Sequence, residues 1–156
     1  MISSTLIRRL TLAIPLAVAL LSSASHAAGL NTTDGVAIKG YDPVAYFTDH
    51  AAVRGSDAFT AQYDGATFKF ASAAHRDAFL ADPAGYAPQY DGFCAYGTAE
   101  GHKADTDPEA FTVYQDHLYL NYSKGVAAKW RKDIPGYIVK ADKNWPTVSQ
   151  STEVYR

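Results

Sequence analysis

The sequence predicts a small single domain of the α+β class, built from antiparallel β-hairpins packed with short helices. Three observations carry that expectation. Ala58 to Tyr63 and Thr67 to Phe70 flank Asp64-Gly65, a strong turn dipeptide between apolar, aromatic-rich runs. Phe111 to Tyr114 and Leu118 to Tyr122 flank Gln115-Asp116-His117 in the same way. The helical stretches between them are short and bounded by Ser, Asp-Pro or Gly, so the long alternating helices of a doubly wound parallel sheet are missing.

The elements follow in order. Met1 to Ala27 reads as a signal peptide: Arg8 and Arg9, a twelve-residue run from Leu10 to Leu21, then the small-residue pattern Ser25-His26-Ala27. The run is short of the roughly 20 residues a spanning helix needs and contains Pro15, so no stable membrane anchor is expected after its removal. Residues 28–35 read as a flexible leader. Residues 36–146 form the folded domain. Val36-Ala37-Ile38 is a short strand candidate, and Asp42-Pro43 caps a turn of helix through Tyr46 and Phe47. After the first hairpin, Ser72 caps a helix to about Ala81, with Ala74, Ala78 and Phe79 inward and Arg76 and Asp77 in solvent; Asp82-Pro83 ends it. A short helix then starts near Asp91 or Gly92 and stops at Gly101. After the second hairpin Ser123 caps a helix containing Val126 and Trp130. Pro135 interrupts, and Ile138 to Trp145 make a last helical piece ended by Pro146. Residues 147–156 read as a flexible tail. No internal repeat or low-complexity run appears.

Charge and cysteine content narrow the function. Loss of residues 1–27 takes Arg8 and Arg9 with it and moves the formal net charge from −2 to −4. No basic stripe survives to neutralise phosphates, which argues against nucleic acid as a partner. Export implies a periplasmic or secreted location, yet Cys94 is the chain's only cysteine, so no intramolecular disulfide staples the fold. A cysteine near the start of a short helix lies close to free backbone N–H groups, which favours the thiolate. The sole methionine is Met1, which excludes a methionine-rich copper site.

The phosphate-cradling, dinucleotide, zinc-protease, nucleophile-elbow and CxxC motifs are all absent. Thiolate and imidazole remain, and together they suit copper or zinc. His75, in the first turn after Ser72, and His102, just beyond Gly101, are the candidate partners of Cys94; a continuous helix would hold Cys94 and His102 about 12 Å apart, so that pairing needs a helix break. His50 and His117 fall in a charged loop and a hairpin turn and read as surface residues. Asp105 and Asp107 read as turn formers around Pro108. A Cys/His nucleophilic pair would lack an oxyanion motif and an orienting third residue, so the chain leans away from enzyme chemistry.

The run Tyr63-Asp64-Gly65-Ala66-Thr67-Phe68-Lys69-Phe70-Ala71-Ser72-Ala73-Ala74-His75, continuing through Phe79, Pro83 and Tyr86, resembles the YHS domain. Asp42-Pro43-Val44 is similar to that family's opening motif. The wider match, through Tyr90-Asp91-Gly92-Phe93-Cys94-Ala95-Tyr96, Leu118-Tyr119-Leu120-Asn121-Tyr122 and Trp145-Pro146, resembles the exported YHS domain-containing (seleno)proteins. Ala45, Ala71 and His75 stand where the family's metal-handling cysteines are expected, so that site does not carry over. The resemblance implies redox or metal chemistry at Cys94, because some relatives hold selenocysteine there.

Three functions follow as expectations. The first is an exported module binding a copper or zinc ion through Cys94, His75 and His102. The second is a single-cysteine redox protein in which Cys94 reacts with an external thiol partner. The third is an interaction domain for another envelope protein, with Cys94 as packing.

Overall fold

The computed structural model describes residues 29–156. The signal-peptide assignment to residues 1–27 and the first residue of the leader lie outside them. The α+β class holds: two small sheets and short helices make one domain. Strands β1 (Thr32–Thr33), β2 (Val36–Ala37), β3 (Ser56–Tyr63) and β4 (Ala66–Phe70) form one sheet in the order β1-β2-β4-β3. Strands β5 (Asp107–Tyr114) and β6 (His117–Asn121) form the other. Helices α1 (Ala45–Thr48), α2 (Ala73–Ala81), α3 (Pro83–Tyr86), α4 (Ala95–Ala99), α5 (Lys124–Trp130) and α6 (Ile134–Val148) lie between and beyond them. Among the described residues no helix is long and apolar enough to cross a membrane.

Both hairpins form where turn chemistry put them. Asp64-Gly65 and Gln115-Asp116 take left-handed backbone at both central positions, as a two-residue hairpin turn matched to strand twist requires. One pairing departs from the antiparallel expectation: β2 runs parallel to β4 through Val36 and Thr67 and makes the first sheet mixed. Strand β6 is the seam of the molecule. Its alternation sends Leu118 and Leu120 into a cluster with Phe68, Phe70, Phe79 and Tyr46, and Tyr119 into a second with Trp130, Tyr90 and Ala141. Each fully buried Leu or Phe among them contributes about 1.5–3 kcal/mol.

Four local expectations are corrected. Residues 29–35 are tied into the fold rather than loose: β1 pairs with β2, and Asn31 N–H donates to Asp91 O at 2.7 Å. Residues 149–156 are likewise held. The buried Lys103 ammonium donates to Ser149 O and Ser151 O at 2.9 Å each, and Tyr155 pairs with Lys103 and Asp105. Pro135 begins α6 instead of interrupting it, and Pro146 sits within its last turn; proline fits a first turn, whose N–H groups have no intrahelical partner. Ala74 faces solvent, and Phe79 carries the burial of α2.

The largest correction concerns repetition, because the chain folds as two copies of one unit. A left-handed turn at Ile38-Lys39-Gly40 has its counterpart 52 residues on at Tyr90-Asp91-Gly92, with φ near +50° for the four non-glycine residues and near +80° for both glycines. Tyr41 N–H donates to Ile38 O at 3.0 Å and Phe93 N–H to Tyr90 O at 2.9 Å. From the hairpins onward the shift is 51 residues. Ser56 pairs with Phe70 and, beyond a bulge, Thr60 with Lys69; Asp107 pairs with Asn121 and, beyond the same bulge, Phe111 with Leu120. Ser72 caps α2 through His75 N–H at 3.1 Å, and Ser123 caps α5 through Val126 N–H at 3.2 Å. Asp82 accepts from Gly85 N–H and Asp133 from Gly136 N–H, both at 3.1 Å. Phe79 and Trp130 are the fully buried aromatic of each helix.

In the first unit one buried group gathers the segments. Asp42, wholly buried, accepts at Oδ1 from Val44 N–H (2.9 Å) and Ala45 N–H (3.4 Å), and at Oδ2 from Ala71 N–H (2.8 Å) and the His75 Nδ1 (2.6 Å). It thereby ties the opening loop, the end of β4 and the start of α2. Removing it leaves the buried Val44 and Ala45 N–H groups, and the part-buried Ala71 N–H and His75 ring, without their acceptor. Asp42→Ala is expected to lose about 3–5 kcal/mol of stability, read from urea unfolding at neutral pH; a loss below about 1 kcal/mol would contradict this account of the fold.

Candidate functional site

Cys94 occupies in the second unit the position of Asp42 in the first. Asp42 N–H donates to Val53 O at 2.8 Å, and Cys94 N–H donates to Ala104 O at 2.9 Å. The sulfur then does what the carboxylate does. As N-cap of α4 it accepts from Gly97 N–H at 3.3 Å, and it also accepts from Tyr122 N–H at 3.3 Å. Tyr122 follows β6 as Ala71 follows β4, so the same strand end donates in both units. The S–H donates to Asn121 Oδ1 at 3.6 Å, and that oxygen also accepts from Tyr96 N–H at 3.1 Å.

The site's surroundings set the thiol's charge. Cys94 is 1% exposed. Burial pushes its pKa up, while the N–H groups of Gly97, Tyr122 and Tyr96 pull it down and lose, so the resting group is a neutral thiol. This overturns the expectation of a lowered value: the N–H groups are present as foreseen, and desolvation outweighs them.

A cavity of about 340 Å³ opens in front of the sulfur, lined by Cys94, Tyr96, Gly97, His102, Ala104, Tyr122, Val126, Tyr155 and Arg156. His102 therefore shares a cavity with Cys94. The break at Glu100 and Gly101 makes this possible: α4 ends at Ala99, Gly101 takes φ +89°, and His102 N–H folds back to donate to Gly97 O at 3.0 Å. His102 Nε2 lies 3.3 Å from where a β-carbon on Gly97 would stand, so one glycine both donates to the sulfur and leaves space for the imidazole. The ring packs edge-on against Tyr155, centroids 4.8 Å apart. Tyr122 and Tyr155, 45% and 61% exposed, flank the mouth.

His75 is absent from this cavity. Its Nδ1 is held by Asp42 and its Nε2 faces Thr48 Oγ1 at 3.5 Å, which makes it a member of the first unit's polar cluster and corrects its assignment as a ligand beside Cys94. His50 and His117 are exposed, as expected of surface residues. Asp105 does more than shape a turn. It pairs with Lys39 at 2.9 Å and accepts from Asn31 at 3.0 Å; burial alone would raise its pKa, and these partners hold it below the usual carboxylate range. A neighbouring cavity of about 470 Å³, lined in part by this pair, shares Tyr122 and Arg156 with the Cys94 cavity.

Among the described residues no group of three or more His, Cys, Asp or Glu side chains is placed to hold a metal ion. The donors that meet at the cavity are one sulfur and one imidazole. Such a pair suits a low-coordinate soft ion such as copper(I), whereas tetrahedral zinc would need two further ligands. Asn121, Gly97 and Val126 belong to the site and escaped the reading of the sequence. Asn121 ends a strand whose other residues are apolar, and a polar residue at that place was the one available signal. No family model matches the chain, and no curated protein or solved structure is matched by it.

The raised thiol pKa has a definite sign for stability. The folded state holds the proton more tightly than the unfolded chain, so Cys94 contributes fully below the unfolded value of about 8.5, and its contribution is lost as pH rises through the folded value. The urea midpoint of wild type minus that of Cys94→Ser is expected to shrink steadily from pH 7.5 to pH 10. A difference that stays constant or grows would contradict the buried neutral thiol.

Proposed function

We propose that this chain is an exported YHS-like module, periplasmic or secreted, that binds one soft transition-metal ion at Cys94 with His102 as the second ligand. The observation that carries the reading is the shared cavity: the only sulfur nucleophile of the chain and a histidine line one cavity of about 340 Å³ with an aromatic rim. Copper(I) fits the two-donor set best, and zinc fits with ligands from solvent or a partner. The ion would displace the thiol proton, so the raised pKa makes binding weaker at low pH without preventing it. His75 has no place in this set.

A second reading is supported by the N–H groups around the sulfur. Donors that hold a thiol also hold an anionic sulfenate or the thiolate released from a mixed disulfide, so Cys94 could serve a redox partner, which must then supply the second thiol. The exposed Tyr122 and Tyr155 at the mouth give an envelope protein a surface to meet in either case.

The deciding experiment is elemental analysis of anaerobically purified protein after exposure to copper(I) or zinc(II) and desalting. Wild type and His75→Ala are expected to retain about one ion per chain, Cys94→Ala none, and His102→Ala to bind at least about tenfold more weakly, the loss of one of two ligands. Equal retention by wild type and Cys94→Ala would overturn the metal reading. No retention by wild type would favour the redox one.

A further inference from the structure

Residues 103–105 lie between Cys94 and the segment 151–156. On one side Ala104 O accepts from Cys94 N–H at 2.9 Å. On the other, Tyr155 N–H donates to Lys103 O at 3.0 Å and Tyr155 O accepts from Asp105 N–H at 2.8 Å, so Tyr155 runs parallel to this stretch as a short outer strand. The segment reaches the site from there. Tyr155 and Arg156 line the cavity in front of the sulfur, and the Tyr155 ring lies against His102.

Little apolar packing holds this wall in place. Ser151 and Val154 are half-buried, while Thr152, Glu153, Tyr155 and Arg156 are exposed. A segment that buries so little apolar surface opens locally at a small part of the cost of unfolding the domain. Its remaining tie is a buried charge. Lys103, 2% exposed, donates through Nζ to Ser149 O and Ser151 O at 2.9 Å each and lies over the Phe93 ring. Burial pulls its pKa down against the attraction of Asp91.

We propose that segment 151–156 is a strap that closes the Cys94 cavity and lifts, while the rest of the domain stays folded, to admit whatever binds to or reacts with the sulfur. With the strap down, Cys94 is 1% exposed. Lifting it removes Tyr155 and Arg156 from the cavity wall and bares the His102 ring, while Ala104 stays bonded to Cys94. It also lets water back to the Lys103 ammonium, so the desolvation recovered on opening offsets the carbonyl bonds that are lost. The inference concerns access to the sulfur. It stands for a metal and for a redox partner alike, and its test holds no metal, so failure of the metal reading leaves it in place.

The test is alkylation of Cys94 by iodoacetamide in the metal-free full chain at one pH, followed by mass spectrometry. The wild-type rate is expected to change little as urea is added below the unfolding transition, because lifting the strap exposes little surface. Tyr155→Pro removes the N–H that bonds Lys103 O and is expected to raise the rate at least about tenfold with cooperative urea unfolding retained. Tyr155→Ala keeps that bond and is expected to raise it less. A wild-type rate that climbs with urea as steeply as global unfolding would overturn the proposal, as would equal rates for wild type and Tyr155→Pro. Equal acceleration by Tyr155→Ala and Tyr155→Pro would make the ring alone the barrier and overturn the strap. If Tyr155→Pro does not fold, amide exchange on wild type decides. The Tyr155 N–H is expected to exchange at least about 100-fold faster than the Cys94 N–H on the other side of the same stretch; equal protection would overturn the proposal.

Discussion

A buried acceptor at the head of each unit holds this molecule together. The segments that meet there are far apart in sequence: the Asp42 loop, the end of β4 and the start of α2, separated by up to 33 residues, and Cys94 with the end of β6, 28 residues away. Loops, strand ends and helix starts all leave backbone N–H groups unused, and a small domain without a disulfide cannot leave them dry and unpaired. One carboxylate and one sulfur collect them. The aromatic clusters then fill the space beneath, with Phe68, Phe70 and Phe79 under the first unit and Tyr119 and Trp130 under the second.

Placing a sulfur where a carboxylate stands changes the chemistry of the position. Asp42 accepts four hydrogen bonds and does not line the Cys94 cavity. Cys94 in the corresponding surroundings remains a neutral thiol, because burial disfavours its charge more than the N–H groups favour it. The site's N–H donors suit an anion, while burial keeps the group protonated. That distinguishes it from a thiol activated in advance by a nearby base, since His102 lines the same cavity without a hydrogen bond to the sulfur.

Much of the architecture was legible because turns and caps obey local rules. Asp64-Gly65, Ser72, Asp82-Pro83 and Ser123 each act through their own backbone or the next turn, and each element lies where those residues put it. The duplication was hidden for the converse reason. The residues the units share are mainly such punctuation: Gly40 and Gly92, Tyr63 and Tyr114, Ser72 and Ser123, Asp82 and Asp133, Gly85-Tyr86 and Gly136-Tyr137. The interior positions diverged, Phe70 to Asn121 and Phe79 to Trp130, and a one-residue difference between the first and second half of each unit breaks the period. The candidate site was half legible. A cysteine at a helix start could be read locally, but its histidine could not. His75 follows a cap and looks available until Asp42, 33 residues earlier, is seen to hold it. His102 looked too distant until Gly101 was seen to turn it back.

The central claim is the proposal that Cys94 and His102, which line one cavity, hold a soft metal ion between them. Anomalous diffraction from crystals of the full chain soaked anaerobically in copper(I) tests it most directly. The account predicts one peak within bonding distance of Cys94 Sγ and His102 Nε2, beside Val126. A peak at Asp42 and His75 instead, or a fully loaded crystal with no density at Cys94, would contradict it.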